Sequence, residues 1–343
     1  MNDQIFDRIG NTPLIHLKTF SQQTGCNIYG KAEFMNPGGS VKDRAAAQII
    51  KDAIKNKKIK PGGTIIEGTA GNTGIGLALV ANSLFIKTII VIPDNQSQEK
   101  IDTLRACGAK VVLVPPVPGK NSNHFTKIAS RIADEMNYNE ASSAFLAGQF
   151  DNLSNLNAHY LNSGPEIFNQ LNGNVDAFVC AIGTGGTLAG ISKYLKEKNS
   201  KFITGLADPP GAALYNFYKN GFLSSEGSSI TEGIGQGRIT KNIEKLDVDY
   251  PYQISDQESL NVMFDLVEKE GLFLGISSGI NVAGALRLAK DIGPGKNIVT
   301  ILCDSGSRYL SKVYNPGFLD AKNLTYPKWL KEKNSFNLHQ YLV

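Results

Sequence analysis

The chain has 343 residues, with 35 Lys and Arg against 31 Asp and Glu, a formal charge of +4 spread along its length. That length suggests about two domains, and 41% hydrophobic with 19% charged residues argues against disorder. No run approaches ~18 consecutive apolar residues and no basic stripe stands out, so neither a membrane nor a nucleic acid is an expected partner.

The opening residues Met1 to Asp7 are polar and acidic, unlike the basic-then-apolar start of a signal peptide, and point to a soluble cytoplasmic protein. Strands are predicted at Thr64–Glu67, Thr88–Pro93 and Lys110–Val114. Helices are predicted at Thr73–Leu84, Gln98–Ala106 and Ser122–Met136. A polar stretch at 137–149 then separates this series from a second one. The second series places strands at Ala177–Ala181, Phe202–Ala207 and Asn297–Leu302, and helices at Thr187–Lys198, Ser255–Glu270 and Val282–Asp291. Ser255-Asp256-Gln257-Glu258 has the spacing of a capping box. Alternating strands and helices imply parallel sheets covered on both faces. Residues 208–238 are rich in Gly and Ser with little regular pattern, and a long irregular insertion of that kind is expected to be functional. The segment after Asn315 holds the only tryptophan, Trp329, and reads as a packing or oligomer segment. There is no fixed-period repeat and no low-complexity tract.

Several chemistries are excluded by spacing. Cys26, Cys107, Cys180 and Cys303 form no CxxC pair, and Cys180 and Cys303 each close an apolar run where a buried thiol is expected. The four histidines, His16, His124, His159 and His339, give no HExxH, so no protein-built metal site is expected. No G-x-S-x-G elbow is present. A dinucleotide fingerprint would need Gly at 188, which is Leu188. A Walker A loop around Gly119-Lys120 would need Gly at Val114 and Ser or Thr at Asn121.

Of the 35 glycines, 14 cluster at 38–39, 68–76, 183–186, 233–237 and 275–279. Such loops allow positive φ and bring backbone N–H groups close to a ligand. Gly183-Thr184-Gly185-Gly186-Thr187 follows a strand and opens a helix, which suits a phosphate monoester; the same segment also reads as an ordinary strand-to-helix turn. A lone lysine is usually a solvated surface charge. Lys42, however, follows the Gly38-Gly39 turn just inside a helix start. There the macrodipole disfavours a cation, which suits Schiff-base chemistry.

Four ordered motifs carry a resemblance: Asn-Pro-Gly-Gly-Ser-Val-Lys-Asp-Arg at 36–44, Glu-Gly-Thr-Ala-Gly-Asn-Thr-Gly at 67–74, Gly-Thr-Gly-Gly-Thr at 183–187 and Gly-Ile-Ser-Ser-Gly at 275–279. Asn11-Thr12-Pro13-Leu14 and Gly164-Pro165-Glu166-Ile167 add to it. From about residue 5 to 314 the chain resembles the cysteine synthase (O-acetylserine sulfhydrylase) family of fold-type II pyridoxal phosphate enzymes. The resemblance implies two three-layer α/β domains with mostly parallel sheets, like tryptophan synthase β, and pyridoxal 5′-phosphate in the cleft between them. Residues 1–38 and 149–314 would form the larger, phosphate-binding domain. Residues 39–148 would form a smaller mobile domain carrying the substrate loop, with 315–343 a C-terminal extension.

The resemblance also assigns roles. Lys42 would hold the cofactor and later move the α-proton, and Gly183, Thr184, Gly185, Gly186 and Thr187 would hold its phosphate. Asn72, otherwise a turn former tolerating αL, would hydrogen-bond the ring hydroxyl. Ser277, with Ser278 as the alternative, would face the ring nitrogen; a neutral hydroxyl there leaves the ring a weaker electron sink and favours expulsion of a β-leaving group. Thr69, Ala70, Gly71 and Thr73 would take the substrate, the two threonines and Gly71 at its carboxylate, with Gln149 reaching in and Gly233 on the far wall. The implied reaction is β-replacement, O-acetyl-L-serine plus sulfide giving L-cysteine through an aminoacrylate. The implied partners are a second copy of the chain and serine acetyltransferase. Ala70 stands where the family usually carries Ser, so one hydroxyl near the amino-acid substrate is missing. With residues 315–343 alone beyond the pattern, the regulatory domain of an adenosyl-regulated cystathionine β-synthase is not expected. The alternatives are a cystathionine β-synthase-like or serine/threonine dehydratase-like enzyme, or a weakly active binding partner of serine acetyltransferase. Retention of Lys42 argues against the last.

Overall fold

The structure, a computed structural model, describes residues 5–331. Among the described residues ten strands form two sheets. β1 (Leu14–His16), β2 (Asn27–Ala32), β7 (Ala177–Cys180), β8 (Ile203–Asp208), β9 (Tyr250–Gln253) and β10 (Asn297–Leu302) make a six-stranded sheet in the order β1-β2-β10-β7-β8-β9. β3 (Thr64–Gly68), β4 (Lys87–Pro93), β5 (Lys110–Val114) and β6 (Ala144–Leu146) make the second, in the order β5-β4-β3-β6. Every pairing is parallel except β1 against β2. The alternation of strands and helices in the sequence predicts this.

Both sheets are covered on two faces, which the side-chain alternation of their strands requires. Along β7, Ala177 and Val179 face the core under the helix Ile276–Ile292, whereas Phe178 and Cys180 face the core under the helix Gly186–Lys198. In the smaller sheet Ile65 packs with Ala46, Ile49, Ile50 and Ala53 of the helix Lys42–Lys55. That i, i+3, i+4, i+7 stripe is why this helix has one buried face. Ile66 and Val91 point the other way, onto the helix Phe125–Asn139.

The predicted elements lie where expected, with ends displaced. The helix after the first glycine loop is Asn72–Asn82, and the one expected from Ser122 begins at Phe125 and runs to Asn139. The stretch 208–238 is not wholly irregular, since Leu214–Asn220 is helical. The Gly275–Gly279 motif is a helical turn rather than a loop, because the last long helix starts at Ile276. Gly279 is there for packing: a Cβ on it would lie 2.2 Å from the Ser259 carbonyl of the neighbouring helix. The capping box is half formed. Ser255 accepts the Glu258 N–H, but the Glu258 carboxylate pairs with Arg287. After Asn315 two short helices pack on the body, with the Trp329 ring edge-on to Phe264 at 5.8 Å and its indole N–H donating to Glu268. Residues 332–343 of that segment, and Met1–Gln4, lie outside the described residues.

Candidate active site

Lys42 is the first residue of its helix, and a buried ion network fixes where that helix starts. Two residues on, the Arg44 guanidinium forks onto two carboxylates, Glu33 (2.7 and 2.8 Å) and Glu166 (2.7 and 2.7 Å). Thr12 donates to Glu33, and the Lys31 ammonium pairs with Glu166 at 2.8 Å. The motifs around Thr12, Arg44 and Glu166, far apart in the chain, therefore meet in one place. Burial would raise both carboxyls, but Arg44 and its hydrogen bonds outweigh it: Glu33 is held low and Glu166 falls to about 2. Removing one partner would strand a buried charge, so the network resists rearrangement.

Lys42 itself is half-buried, and among the described residues its ammonium has no hydrogen-bond or ion-pair partner. It lies on the wall of a cavity. Thr69, Ala70, Gly71, Asn72, Thr73, Gln149, Gly183, Thr184, Gly233 and Ser277 line the same cavity. Gly185 and Thr187 line a smaller adjoining recess that also touches Lys42, Gly183 and Thr184. Of the site residues singled out in the sequence, Gly186 and Ser278 line neither. A Cβ on Gly186 would sit 2.2 Å from Asn155 Oδ1, so this glycine makes room for a side chain behind the loop.

Two sets of backbone donors face this space. In the Gly183–Thr187 loop, the N–H groups of Thr184, Gly185, Gly186 and Thr187 donate to no protein acceptor among the described residues. Gly185 holds φ at +89° at the helix N-cap, a conformation glycine adopts without strain, and the loop so formed suits an anion. The Thr184 hydroxyl accepts from Asn155 (2.9 Å), and the Thr187 hydroxyl meets His159 Nε2 (3.1 Å). Burial pushes that imidazole down to about 3, so it is neutral and can bridge Thr187 and Ser163. In the second loop Gly71 has φ +133° and opens the helix that begins at Asn72. The N–H groups of Asn72 and Thr73 there also lack protein acceptors among the described residues. The Thr73 hydroxyl donates to the Gln149 side-chain carbonyl at 2.5 Å.

The two serines of the third motif separate cleanly. Ser277 lines the cavity. Ser278 is fully buried and its hydroxyl accepts the Cys303 N–H at 2.9 Å. Asn72 is already engaged: its amide donates to Asp304 (2.6 Å) and its carbonyl accepts from Arg308 (2.5 Å).

Sequence reasoning missed several lining residues. Lys100 and Glu232 pair at 2.5 Å, Lys312 also reaches Glu232, and the Lys100 ammonium lies 4.3 Å over the Tyr309 ring. A Cβ on Gly71 would be 2.9 Å from the Lys100 stem, so this lysine supports the second loop. Tyr309 donates to Asp304 at 2.7 Å, and both line the cavity. Cys303, expected to be a buried packing thiol, lines it too, and burial pushes its thiol up to about 12. No group of three or more potential metal ligands occurs among the described residues.

A partnerless lysine between two sets of unclaimed N–H donors fits an aldehyde that carries a phosphate. The sequence matches the pyridoxal-phosphate dependent enzyme family over residues 5–304. It is 49% identical to cysteine synthase 1 of Neurospora crassa, over 92% of this chain and 84% of that one. The chain belongs to the cysteine synthase family. Cysteine synthase 1 of Emericella nidulans is 47% identical, over 95% of this chain and 89% of that protein. Among solved structures, the O-acetylserine dependent cystathionine beta-synthase of Helicobacter pylori superposes with a TM-score of 0.82 at 37% identity, covering 91% of this chain and 98% of the other. Family and structural likeness agree on a fold-type II α/β enzyme that uses pyridoxal phosphate.

Proposed function

We propose that this chain is a cysteine synthase, forming L-cysteine from O-acetyl-L-serine and sulfide by β-replacement. The observation that carries the reading is Lys42, partnerless in a cavity flanked by both donor loops. Its amine would hold the cofactor aldehyde, and once freed would take the proton from Cα of the bound amino acid. The Thr184, Gly185, Gly186 and Thr187 N–H groups would hold the phosphate, with Gly183 letting the loop pass close to Gly233. Ser277 would face the ring nitrogen. Asn72, with one amide hydrogen still uncommitted, would reach the ring hydroxyl. Bound there, the cofactor supplies the electron sink for bond cleavage at Cα and Cβ. Thr69, Gly71 and Thr73, with Gln149, would orient the substrate carboxylate at a helix N-terminus. Ala70 and Gly233 would add wall without adding a hydrogen bond from a side chain.

The division into a larger unit, 1–38 with 149–314, and a smaller unit, 39–148, is part of this reading. It is supported by the strands, since β3 to β6 form one sheet and the others form the second. A homodimer, a serine acetyltransferase partner and a cytoplasmic location also belong to this reading. The four unpaired cysteines suit a reducing compartment.

A panel of O-acetyl-, O-phospho- and unmodified L-serine against sulfide and homocysteine, with products identified by mass spectrometry, tests the function. Cysteine from O-acetylserine and sulfide as the fastest product supports it. Cystathionine as the main product would favour the second reading, which rests on the likeness to the Helicobacter pylori enzyme.

A further inference from the structure

Gln149 and Thr184 are 35 positions apart in sequence and belong to different parts of the cleft, yet two buried asparagines hold them together. The Asn155 side-chain amide donates to the Gln149 carbonyl (2.9 Å) and to the Thr184 hydroxyl (2.9 Å). The Asn242 amide donates to the same Gln149 carbonyl (3.1 Å), to the Phe150 carbonyl (2.8 Å) and to the Thr184 carbonyl (3.3 Å). Thr240 adds a hydroxyl to the Thr184 carbonyl at 2.8 Å. None of these side chains is more than 5% exposed, apart from that of Phe150, so water does not compete for the bonds.

On its other side Gln149 is equally fixed. Its N–H donates to Glu67 (3.4 Å), and its side-chain carbonyl accepts from Thr73. Thus an unbroken series of hydrogen bonds runs from Thr73 in one donor loop, through Gln149, to Thr184 in the other. Gly186 belongs to the same arrangement, since its missing side chain is what admits Asn155 behind the loop.

We propose that Asn155 and Asn242 are positioning residues that bind the cofactor-phosphate loop and the substrate-carboxylate residue Gln149 into one frame, so that occupancy of the first orders the second. The proposal rests on the cofactor and carboxylate assignments made above. Neither asparagine lines the cavity, so each acts only through the groups it holds.

The test compares full-length wild type with Asn155→Ala and Asn242→Ala by amide hydrogen exchange, with and without pyridoxal 5′-phosphate. In the wild type, cofactor binding is expected to slow exchange both at 183–190 and at 147–152. In the variants the first protection persists and the second falls at least severalfold. Steady-state kinetics should show KM for O-acetylserine rising about tenfold, for about 1.4 kcal/mol of lost orientation, with kcat falling less. Full protection of both segments in the variants, with unchanged KM, overturns the proposal. No cofactor-dependent protection at 183–190 in the wild type overturns the site assignment instead. Asn155→Ser or Asn242→Ser, which disturbs packing less, replaces the alanine variant at the same position if its circular dichroism shows it unfolded, and is judged by the same two segments.

Discussion

Ser277 and Ser278 are neighbours of identical chemistry, and the structure predicts opposite consequences for their loss. Ser278→Ala removes the acceptor of a buried main-chain N–H, that of Cys303, at a side chain with no solvent exposure. An orphaned buried donor costs about 1–3 kcal/mol. With a melting temperature that moves by about 2 °C per kcal/mol in a chain of this size, Ser278→Ala should melt roughly 4 °C lower. Ser277 borders the cavity and holds no main-chain group, so Ser277→Ala should cost the apoprotein less than about 1 kcal/mol. Its effect falls on turnover. Loss of a neutral hydrogen bond worth about 0.5–1.5 kcal/mol to the cofactor ring lowers the first half-reaction by up to about tenfold. Differential scanning fluorimetry on both apoproteins, paired with stopped-flow measurement of acetate release by the loaded enzymes, separates the two. A more destabilised Ser277→Ala protein, or a Ser278→Ala protein that keeps its melting temperature and loses turnover, would refute these assignments.

Three further perturbations follow from the same contacts. Gly185→Ala combines positive φ with a Cβ placed 2.1 Å from Ile243, so it should destabilise by about 2–4 kcal/mol and release cofactor faster on dilution; unchanged retention would leave the loop an ordinary turn. Glu67 is fully buried, and burial pushes its carboxyl up to about 8, above its ordinary value of 4.5. Because folding favours the protonated form, its stabilisation is complete below about pH 4.5 and is lost as the pH climbs to about 8. Glu67→Gln should therefore gain on the wild type across that window, by up to about 1.4 kcal/mol per pH unit in urea titrations, and a difference independent of pH would contradict the assignment. Glu232→Gln strands the buried Lys100 ammonium and loosens Lys312, which should cost about 3 kcal/mol; chemical denaturation showing less than 1 kcal/mol would mean the pair is replaced by water.

The glycine loops and Lys42 were legible because their information is local: a turn, a strand and a helix start lie within a few residues of each other. The residues that complete the site were not. Lys100, Glu232, Asn155 and Asn242 are isolated polar residues in unremarkable surroundings, and only the tertiary fold brings the first two to the cavity wall and the two asparagines behind its loops. Short strands were hidden by their own composition. β2 reads as polar because it carries Lys31, whose charge is met by Glu166 inside the protein. β9 contains Pro251, which a sheet tolerates because β9 is its edge. The Gly275–Gly279 segment read as a loop because its glycine signalled flexibility, whereas Gly279 serves close contact between two helices.

The claim on which all else depends is that Lys42 carries the cofactor. Borohydride reduction of the cofactor-loaded protein, followed by proteolysis and mass spectrometry, fixes the cofactor covalently to whichever lysine holds it. A pyridoxyl-phosphate adduct on the peptide spanning residues 36–44, absent from Lys42→Ala, is the predicted result. An adduct on Lys100, the other lysine of the cavity wall, or labelling that survives Lys42→Ala, would contradict the account.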